Sequence, residues 1–350
     1  MSTDAGLDVE RPTLDVGALA AWLGDRLGGD AAPLTAAPLG TDLGMGNALF
    51  ELRRGDQVWV LRRPPAVLND KSASNMSREY RILTALGGTA VPHPTARVLC
   101  EDPGVIGAPF LIMDKVVGFT PGFVLPEPFA ASPSHRRGIA TAYVDALVEL
   151  AAVDWRGRGL GDLGKPEGFL ERQVSRWLAQ LDRYRVRDLP ELDFVTGWLE
   201  RNRPTMSPAA IIHGDYSPFN VMIAPDLPPR LAAVIDWDTG TIGDPLLDLG
   251  HLLARWTEPG EEPVLQEQAG GVEGYPTRAE LAARYAQRSG RDVSALAYYQ
   301  CLALFKLAVI LEGTYARKLA AGVPDSANMM AELVPRLTRG AAAFARGERA

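Results

Sequence analysis

The chain carries the stretch His213-Gly-Asp-Tyr-Ser-Pro-Phe-Asn220 and, shortly after it, the stretch Ile235-Asp-Trp-Asp238. Phosphoryl transfer needs a carboxylate that orients and deprotonates a hydroxyl group, together with oxygen ligands that hold Mg²⁺. This ion takes few of its ligands from the protein and leaves room for nucleotide phosphates. The spacing therefore predicts that Asp215 is the catalytic base and that Asn220 and Asp236 are the metal ligands.

The residues between the two stretches predict a β-hairpin. Val221-Met-Ile-Ala224 and Leu231-Ala-Ala-Val-Ile235 are rich in β-forming residues, and Pro225-Asp-Leu-Pro-Pro229 separates them. A hairpin would bring Asp236 back alongside Asn220, where one ion could contact both. A His-Gly-Asp tripeptide alone is a common loop sequence, so the interpretation depends on the asparagine and on these two strands.

Together with Gly243-Asp-Pro-Leu-Leu-Asp248, these motifs resemble the aminoglycoside phosphotransferase and choline kinase family, small-molecule relatives of the protein kinases. The resemblance covers most of the chain and is strongest over residues 211–250. It implies an α+β, protein-kinase-like fold with two lobes that share a cleft. We expect residues 1–116 to form a small β-rich nucleotide-binding lobe. Residues 117–350 would form a larger, mostly helical lobe with the catalytic loop, the metal site and the substrate pocket.

A glycine-rich segment near the N-terminus is a candidate phosphate contact. Leu39–Leu52 predicts a strand, a turn that contains Gly44, Gly46 and Asn47, and a second strand. Glycines let backbone N–H groups approach phosphate oxygens closely. The spacing is neither that of a Walker loop nor that of a Rossmann fingerprint, so by itself it indicates only a hairpin turn. The resemblance identifies it with the nucleotide-positioning loop of the family.

Two further segments predict the nucleotide-binding pair of a kinase. A strand is predicted over Val58-Trp-Val-Leu-Arg62, with Val60 and Arg62 on one face, and a helix over Ser74–Leu86 carries Glu79. Kinase-like folds pair a cation on this strand with a glutamate on this helix, and the cation holds the ATP phosphates. Arg62 stands where the commonest kinase pattern has lysine, and Val60 would lie against the adenine. The alternative is a solvated arginine and a surface glutamate.

The strand Pro109–Gly118 would link the two lobes, and the rest of the chain is predicted to be mostly helical. The resemblance implies that the adenine edge pairs with the carbonyl of Asp114 and the N–H of Val116. Asp244 and Asp248 are expected to cap and brace the helix that follows them. Apolar stripes predict helices over Leu14–Leu27, from Ser132-Pro133, around Val174, around Trp198, after Pro245, and near residues 277–289, 294–319 and 328–347.

The composition indicates a soluble globular protein, with 350 residues, 47% hydrophobic residues and a net charge of −7. The negative charge argues against a nucleic-acid partner. The first residues lack the basic and apolar regions of a signal peptide. The apolar run Tyr298–Leu311 is interrupted by Lys306 and is too short to span a bilayer. We therefore expect a cytoplasmic protein without a membrane partner, and buried, reduced thiols at Cys100 and Cys301.

These observations predict an ATP- and Mg²⁺-dependent kinase whose acceptor is a hydroxyl group of a small molecule. Asp236 is followed almost directly by Gly243–Gly250 and another helix, which leaves no room for a peptide-docking platform. Stretches such as Val60-Leu-Arg-Arg-Pro-Pro65 and Ile106-Gly-Ala-Pro-Phe-Leu-Ile-Met113 resemble kinase domains that are fused to acyl-CoA dehydrogenases in some organisms. That branch is associated with hydroxy-acid or hydroxyacyl substrates, so the acceptor is expected to be acidic.

Three alternatives stay open. An aminoglycoside or amino-alcohol kinase would need an acidic pocket. A catalytically inactive, nucleotide-binding pseudokinase would bind ATP without turnover. A metal-dependent hydrolase could use the same carboxylates but would leave Arg62 and Glu79 without a role. The glutamates that could line an acidic pocket, unless they simply form a solvated loop, are Glu258, Glu261, Glu262 and Glu267.

Overall fold

The computed structural model describes residues 13–24, 26–27, 32–39, 47–64, 70–265 and 270–349, with only the backbone for residues 70–74. The chain divides into a smaller β-rich unit and a larger, mostly helical unit, so the predicted α+β class is confirmed. The first unit comprises Met1–Gly87, His93–Val116 and Asp236–Asp238, and the second comprises Gly88–Pro92, Val117–Ile235 and Thr239–Ala350.

This division differs in two places from the predicted boundary after residue 116. Gly88–Pro92 groups with the second unit, where the Val234 amide donates to the Pro92 carbonyl at 2.8 Å. Asp236–Asp238 groups with the first unit. The reason is that Arg62 binds Asp236 directly, so a segment predicted to belong to the helical lobe is held by the sheet.

The first unit is built on one antiparallel sheet. Its strands are β1 (Thr35–Pro38), β2 (Ala48–Arg54), β3 (Gln57–Arg63), β4 (Ala96–Cys100) and β5 (Phe110–Asp114), in the spatial order β1-β2-β3-β5-β4. The strand predicted at Val58–Arg62 is β3, in the middle of the sheet. It pairs with β2, where Arg62 faces Leu49, and with β5, where Arg62 faces Leu111.

In the described part of the first unit, two helices accompany the sheet, namely α1 (Val16–Leu23) and α2 (Asp70–Leu86). The Asp15 carboxylate caps α1 by accepting the Ala18 amide at 2.8 Å. The helix was predicted to end near Leu27, but α1 ends at Leu23. The next residue, Gly24, has a φ of 45°, a conformation that glycine adopts readily and other residues rarely adopt. Its buried Leu19 and Leu23 pack into the core of the sheet.

Seven helices form most of the regular secondary structure in the described part of the second unit. They are α3 (Pro133–Ala151), α4 (Gln173–Leu181), α5 (Leu192–Arg201), α6 (Leu246–Ala254), α7 (Arg278–Ser289), α8 (Leu296–Ala320) and α9 (Met330–Arg346), as predicted within a few residues. Thr277 and Glu280 form a capping box at the start of α7. By length and hydropathy α8 could span a membrane, but 78% of its most apolar window is buried inside the protein. It packs against α6 and α9 as a core helix.

Two short strand pairs in the second unit frame the loop that holds Asp215. β6 (Ala210–Ile212) pairs with β9 (Thr241–Gly243), and β7 (Val221–Ile223) pairs with β8 (Leu231–Val234), both antiparallel. The second pair is the predicted hairpin, which is confirmed. It extends one step further, because the Ile235 amide donates to the Asn220 carbonyl at 2.9 Å. The residue before Asp236 is therefore paired with Asn220.

Candidate active site

The loop between β6 and β7 is held by Asp248, which is buried in α6. Asp248 Oδ2 accepts the His213 amide at 2.6 Å, and Oδ1 accepts the Gly214 amide at 2.8 Å. Gly214 has a φ of 82°, and a Cβ on it would lie 3.0 Å from the Thr239 carbonyl oxygen, so this position requires glycine. The expectation that Asp248 braces its own helix is therefore wrong. Asp244 does cap α6, since its Oδ1 accepts the Leu246 amide at 3.0 Å.

His213 uses both ring nitrogens to hold this loop. Its Nδ1 accepts the Asp215 amide at 3.2 Å, because a backbone N–H can only donate. The ring proton is then on Nε2, which donates to the Ile235 carbonyl at 2.8 Å. The Thr239 hydroxyl donates to the His213 carbonyl at 2.8 Å. His213 is fully buried and acts as a structural residue of the loop.

Both oxygens of the Asp215 carboxylate have polar contacts with neighbouring side chains. Oδ2 accepts the side-chain amide of Asn220 at 3.0 Å, and Oδ1 lies 3.0 Å from His251 Nε2 and 3.7 Å from Arg255 Nη2. Burial raises the pKa of this carboxyl, but the close contact with His251 and the positive charges of Arg255 and Lys306 outweigh it. They hold the pKa of Asp215 well below its usual range. The side chain is 44% exposed, so an ionised carboxylate remains open to a ligand.

Three residues around Asp215 had no place in the sequence-based prediction of the site. His251 lies on α6 and Arg255 directly follows its last residue in a helical conformation, so the two side chains, four residues apart, point to the same side. Burial, and then the charge of Arg255, lower the pKa of His251 to about 4, so the ring is neutral near pH 7. Lys306 on α8 is buried and donates to the Gly214 carbonyl. The only signal in the sequence was that polar residues interrupt two apolar helical runs.

Asn220 is oriented so that its amide oxygen could bind a metal ion. Its Nδ2 donates to the Asp215 carbonyl at 2.8 Å and to the carboxylate, and the described residues offer no donor to its Oδ1. Among these residues no group of three or more His, Cys, Asp or Glu side chains is arranged to hold a metal. A Mg²⁺ ion would thus have one or two protein oxygens and complete its shell with phosphates and water.

In the first unit, Arg62 gathers three carboxylates. Nη1 lies 2.8 Å from Glu79 Oε1, and Nη2 lies 2.5 Å from Asp236 Oδ1 and 3.6 Å from Asp238 Oδ2. Arg62 and Glu79 are buried, so their predicted pairing is confirmed and the solvated alternative is wrong. With its amide group oriented to satisfy both partners, Asn47 Oδ1 accepts Arg62 Nε at 2.9 Å.

This cluster has more negative than positive groups. Burial raises the pKa of Glu79 to about 7, the charge of Arg62 opposes the rise, and Asp236 and Asp238 add to it. Burial lowers the pKa of Arg62, but the three carboxylates outweigh it and raise that pKa above its usual value. Asp236 has a φ of 68°, a conformation that costs a non-glycine residue about 1 kcal/mol or more. Its side chain is 44% exposed, so it can still bind a cation.

The remaining predicted nucleotide contacts lie at or near the sheet. Val60 is half-buried on β3 between Glu51 and Met113. The Asp114 carboxylate binds Arg97 at 2.6 and 2.7 Å, which leaves only its backbone for the predicted adenine contact. Val116 is the last residue of this part of the first unit. Gly44 and Gly46 lie outside the described residues.

The acidic segment after α6 is largely neutralised within the second unit. Glu261 binds the buried Arg278 at 2.5 and 2.8 Å, and Glu258 Oε1 accepts the Arg278 amide at 2.5 Å. Glu262 uses its carbonyl to accept Arg349. Glu267 lies outside the described residues. Two of the four candidate glutamates are therefore not available to a cationic ligand.

Comparisons of the sequence agree with this geometry. A family model described as phosphotransferase enzyme family matches residues 41–283. Acyl-CoA dehydrogenase family member 11 of Rattus norvegicus is 32% identical over 330 residues, which cover 89% of this chain and 42% of that protein. Acyl-CoA dehydrogenase family member 10 of Mus musculus is 31% identical over 284 residues, which cover 79% of this chain and 26% of that protein. The chain thus spans less than half the length of these relatives.

Solved structures show the same fold. The crystal structure of a candidate aminoglycoside phosphotransferase from Ralstonia eutropha JMP134 has a TM-score of 0.78 and 30% identity, and the match covers 94% of this chain and 99% of that one. A ternary complex of APH(2″)-IIa with streptomycin and ATP has a TM-score of 0.58 and 15% identity, and the match covers 91% of this chain and 99% of that one. The second likeness concerns the fold alone. The predicted resemblance and the predicted kinase-like fold are both confirmed.

Proposed function

Because the chain belongs to the phosphotransferase enzyme family, we propose that it transfers the γ-phosphate of ATP to a hydroxyl group of a small molecule, with Mg²⁺ as the metal. The observation that carries this proposal is the Asp215 carboxylate, which is ionised, partly exposed and fixed by Asn220 and His251. A carboxylate held in this way accepts a hydrogen bond from an incoming hydroxyl and orients its oxygen for attack.

In the proposed reaction the acceptor oxygen bonds to the γ-phosphorus while the bond between this phosphorus and the bridging oxygen of ADP breaks. The hydroxyl proton passes to Asp215 and from there to water. The lowered pKa of Asp215 makes it a weak base, so proton transfer comes late, when the oxygen already carries the phosphoryl group. The main contribution of Asp215 is therefore to position the hydroxyl.

The nucleotide contacts belong to the other cluster. Arg62 is assigned to the ATP phosphates, because a guanidinium offers several donors in a planar fork, and Glu79 holds it in place. Asn220 and Asp236 each offer an oxygen to Mg²⁺, which would neutralise charge on the phosphates. We also assign phosphate contacts to Gly44, Gly46 and Asn47, and adenine contacts to Val60, Asp114 and Val116. An enzyme of the same fold has been crystallised with ATP, which is the precedent for this choice of nucleotide.

For the acceptor we propose a hydroxy acid or a hydroxyacyl compound. Arg255 and Lys306 place two positive charges close to Asp215, which favours an acidic molecule. The pairing of Glu258 and Glu261 with Arg278 engages two of the four glutamates that could line an acidic pocket for a polycationic antibiotic. The similarity to acyl-CoA dehydrogenase family members 10 and 11 supports the same class. Aminoglycosides and amino alcohols are the competing acceptors.

A coupled ADP-release screen tests the proposal. Mg·ATP is offered with hydroxy acids, hydroxyacyl compounds, amino alcohols, sugars and aminoglycosides, using the wild type and Asp215→Asn. We expect release with an acidic acceptor, a loss of about 10²–10⁴-fold in kcat for the variant, and a nucleotide affinity within a few-fold of the wild type. Asp226→Asn, which changes an exposed aspartate paired with Arg230, is the matched control.

The other outcomes separate the alternatives. Normal turnover in Asp215→Asn would remove this residue from the mechanism. A thermal shift with Mg·ATP but no ADP release with any acceptor would indicate a pseudokinase. Release of inorganic phosphate without an acceptor, at the same rate as with one, would indicate a hydrolase.

A further inference from the structure

His251 is a buried polar side chain that faces the candidate base. It belongs to α6, where its neighbours Leu249, Leu252 and Leu253 are completely buried, and it is itself only 3% exposed. Its Nε2 lies 3.0 Å from Oδ1 of Asp215. Burial of an imidazole in an apolar helix costs free energy unless its polar atoms find partners. An apolar residue would fill this position in α6 at a lower cost, so the imidazole is expected to have a role at Asp215.

The chemistry of this contact follows from the charge of each partner. The contact is short enough for a hydrogen bond but is not aligned as one in this structure, and Nε2 has no hydrogen-bond partner among the described residues. An ionised carboxylate only accepts hydrogen bonds, so this contact is favourable only with the ring proton on Nε2. His251 is neutral near pH 7, because burial and the charge of Arg255 lower its pKa to about 4. A neutral donor fixes the carboxylate without neutralising its charge. A cationic donor would bind it more strongly and would weaken it further as an acceptor for a hydroxyl.

A cation also lies near the carboxylate oxygen that His251 contacts. Arg255, the residue that follows the last residue of α6, has its Nη2 3.7 Å from Asp215 Oδ1, and His251 Nε2 lies 3.0 Å from the same oxygen. Asn220 holds the other oxygen at 3.0 Å. Loss of the imidazole would let the carboxylate rotate further toward the guanidinium and tighten this ion pair. Contacts on both oxygens prevent this rotation.

We propose that His251 is a positioning residue for phosphoryl transfer, whose Nε2–H holds the Asp215 carboxylate in the orientation that receives the acceptor hydroxyl. The inference rests on the proposed function, since the orientation of Asp215 matters for turnover only if Asp215 receives a hydroxyl. His251 itself contacts neither ATP nor the acceptor in this proposal.

The contact can be tested without any substrate by NMR on the full chain labelled with ¹⁵N-histidine. The chain has four histidines, and His251→Gln identifies the signals of this one. We expect a neutral ring with its proton on Nε2 at pH 7, and a shift of the Nε2 resonance in Asp215→Asn. A cationic ring at pH 7, or a proton on Nδ1, would overturn the proposal. His135→Gln, which changes a histidine bonded to the Pro128 carbonyl, is the control.

The effect on turnover is measured with His251→Leu and His251→Gln, using ADP release with the acceptor that reacts fastest in the screen. For the leucine variant we expect kcat to fall by about 10–10²-fold, the scale of a misplaced catalytic group, with the KM for ATP unchanged within about twofold. Glutamine can donate from its amide, so it should recover most of kcat. Thermal unfolding of each variant reports whether it is folded.

Each outcome bears on a different statement. A folded leucine variant with the kcat of the wild type, or equal losses in the leucine and glutamine variants, would overturn the positioning role alone. A wild type that binds Mg·ATP but releases no ADP with any acceptor would overturn the proposed function, and the inference with it. If both variants unfold, sequential backbone assignment of the wild type identifies the His251 signals instead, and their comparison with Asp215→Asn still decides whether the contact exists.

Discussion

Arg62 on β3 donates from Nη1 to Oε1 of Glu79 on α2 at 2.8 Å, and both side chains are buried. The order of strand and helix in the sequence predicted this pair. A second arm of the same guanidinium reaches Asp236 at 2.5 Å. A lysine has one compact charge and no planar fork, so it could not hold both carboxylates in the same way. The arginine therefore couples the nucleotide pair to the segment that carries the predicted metal ligand.

Substitution of Arg62 should impair the use of ATP. We expect Arg62→Ala to reduce kcat/KM for ATP by an amount that corresponds to about 1–3 kcal/mol, the scale of a lost charge-assisted contact. Arg62→Lys should recover part of the loss because it restores the charge. Steady-state ATP kinetics measure the effect.

The matched control is Arg63→Ala. Arg63 lies on the other face of β3, where it donates to the carbonyls of Thr13 at 2.9 Å and Ile106 at 3.2 Å. It should change ATP kinetics far less. A larger defect from Arg63→Ala than from Arg62→Ala would contradict the assignment of the phosphate contact, and Val60 would lose its assignment to the adenine as well.

Asp236→Ala should weaken Mg²⁺-dependent nucleotide binding more than Asn220→Ala. A carboxylate brings a full negative charge to a hard cation, whereas an amide brings only a dipole. Thermal-shift titrations with ATP, with and without Mg²⁺, measure the difference, and titrations without the metal serve as the control for each variant. The reverse order would mean that the two ligand assignments are exchanged or wrong.

Asp248→Asn should destabilise the second unit. The carboxylate accepts two backbone amides, at 2.6 and 2.8 Å, whereas an asparagine has one acceptor oxygen and would place an NH₂ group against the other amide. We expect a loss of about 1–3 kcal/mol in the free energy of unfolding, measured with urea. Asp226→Asn at the surface should show no measurable change. Equal stability of the Asp248 variant and the wild type would show that the loop does not depend on these bonds.

The protein should lose stability as the pH falls from 7 to 5, because His251 is buried as a neutral ring. The pKa of His251 is about 4 in the folded protein and 6.5 in the reference state. Between these two pH values the unfolded chain binds more protons than the folded protein, so acidification stabilises the unfolded state. Between pH 7 and pH 5 the wild type should lose about 2 kcal/mol more unfolding free energy than His251→Gln. Urea unfolding at both values gives the difference. Parallel losses would mean that the pKa of His251 is not lowered on folding.

Local patterns in the sequence determined most of the secondary structure. The capping box at Thr277 and the glycine at Gly290 delimit α7, because a helix end depends on groups that are close in the chain. The end of α1 was predicted too late, since the chain leaves the helix at Gly24 although the apolar stripe continues to Leu27. The strand β4 has no predicted counterpart, because this short segment becomes a strand by pairing with β5.

For the site around Asp215, too, the sequence predicted one part and tertiary structure decided the other. The spacing of Asp215 and Asn220 in one short loop predicted that both belong to the site, and the structure adds that the two side chains are joined at 3.0 Å. Tertiary structure alone decided that His251, Asp248 and Lys306 surround this loop. In the sequence His251 and Lys306 are only polar interruptions of buried helices, and Asp248 was expected to brace the helix that carries it. Their partners lie far away in the chain, and no local periodicity records such contacts, because they form only when α6 and α8 pack onto the loop.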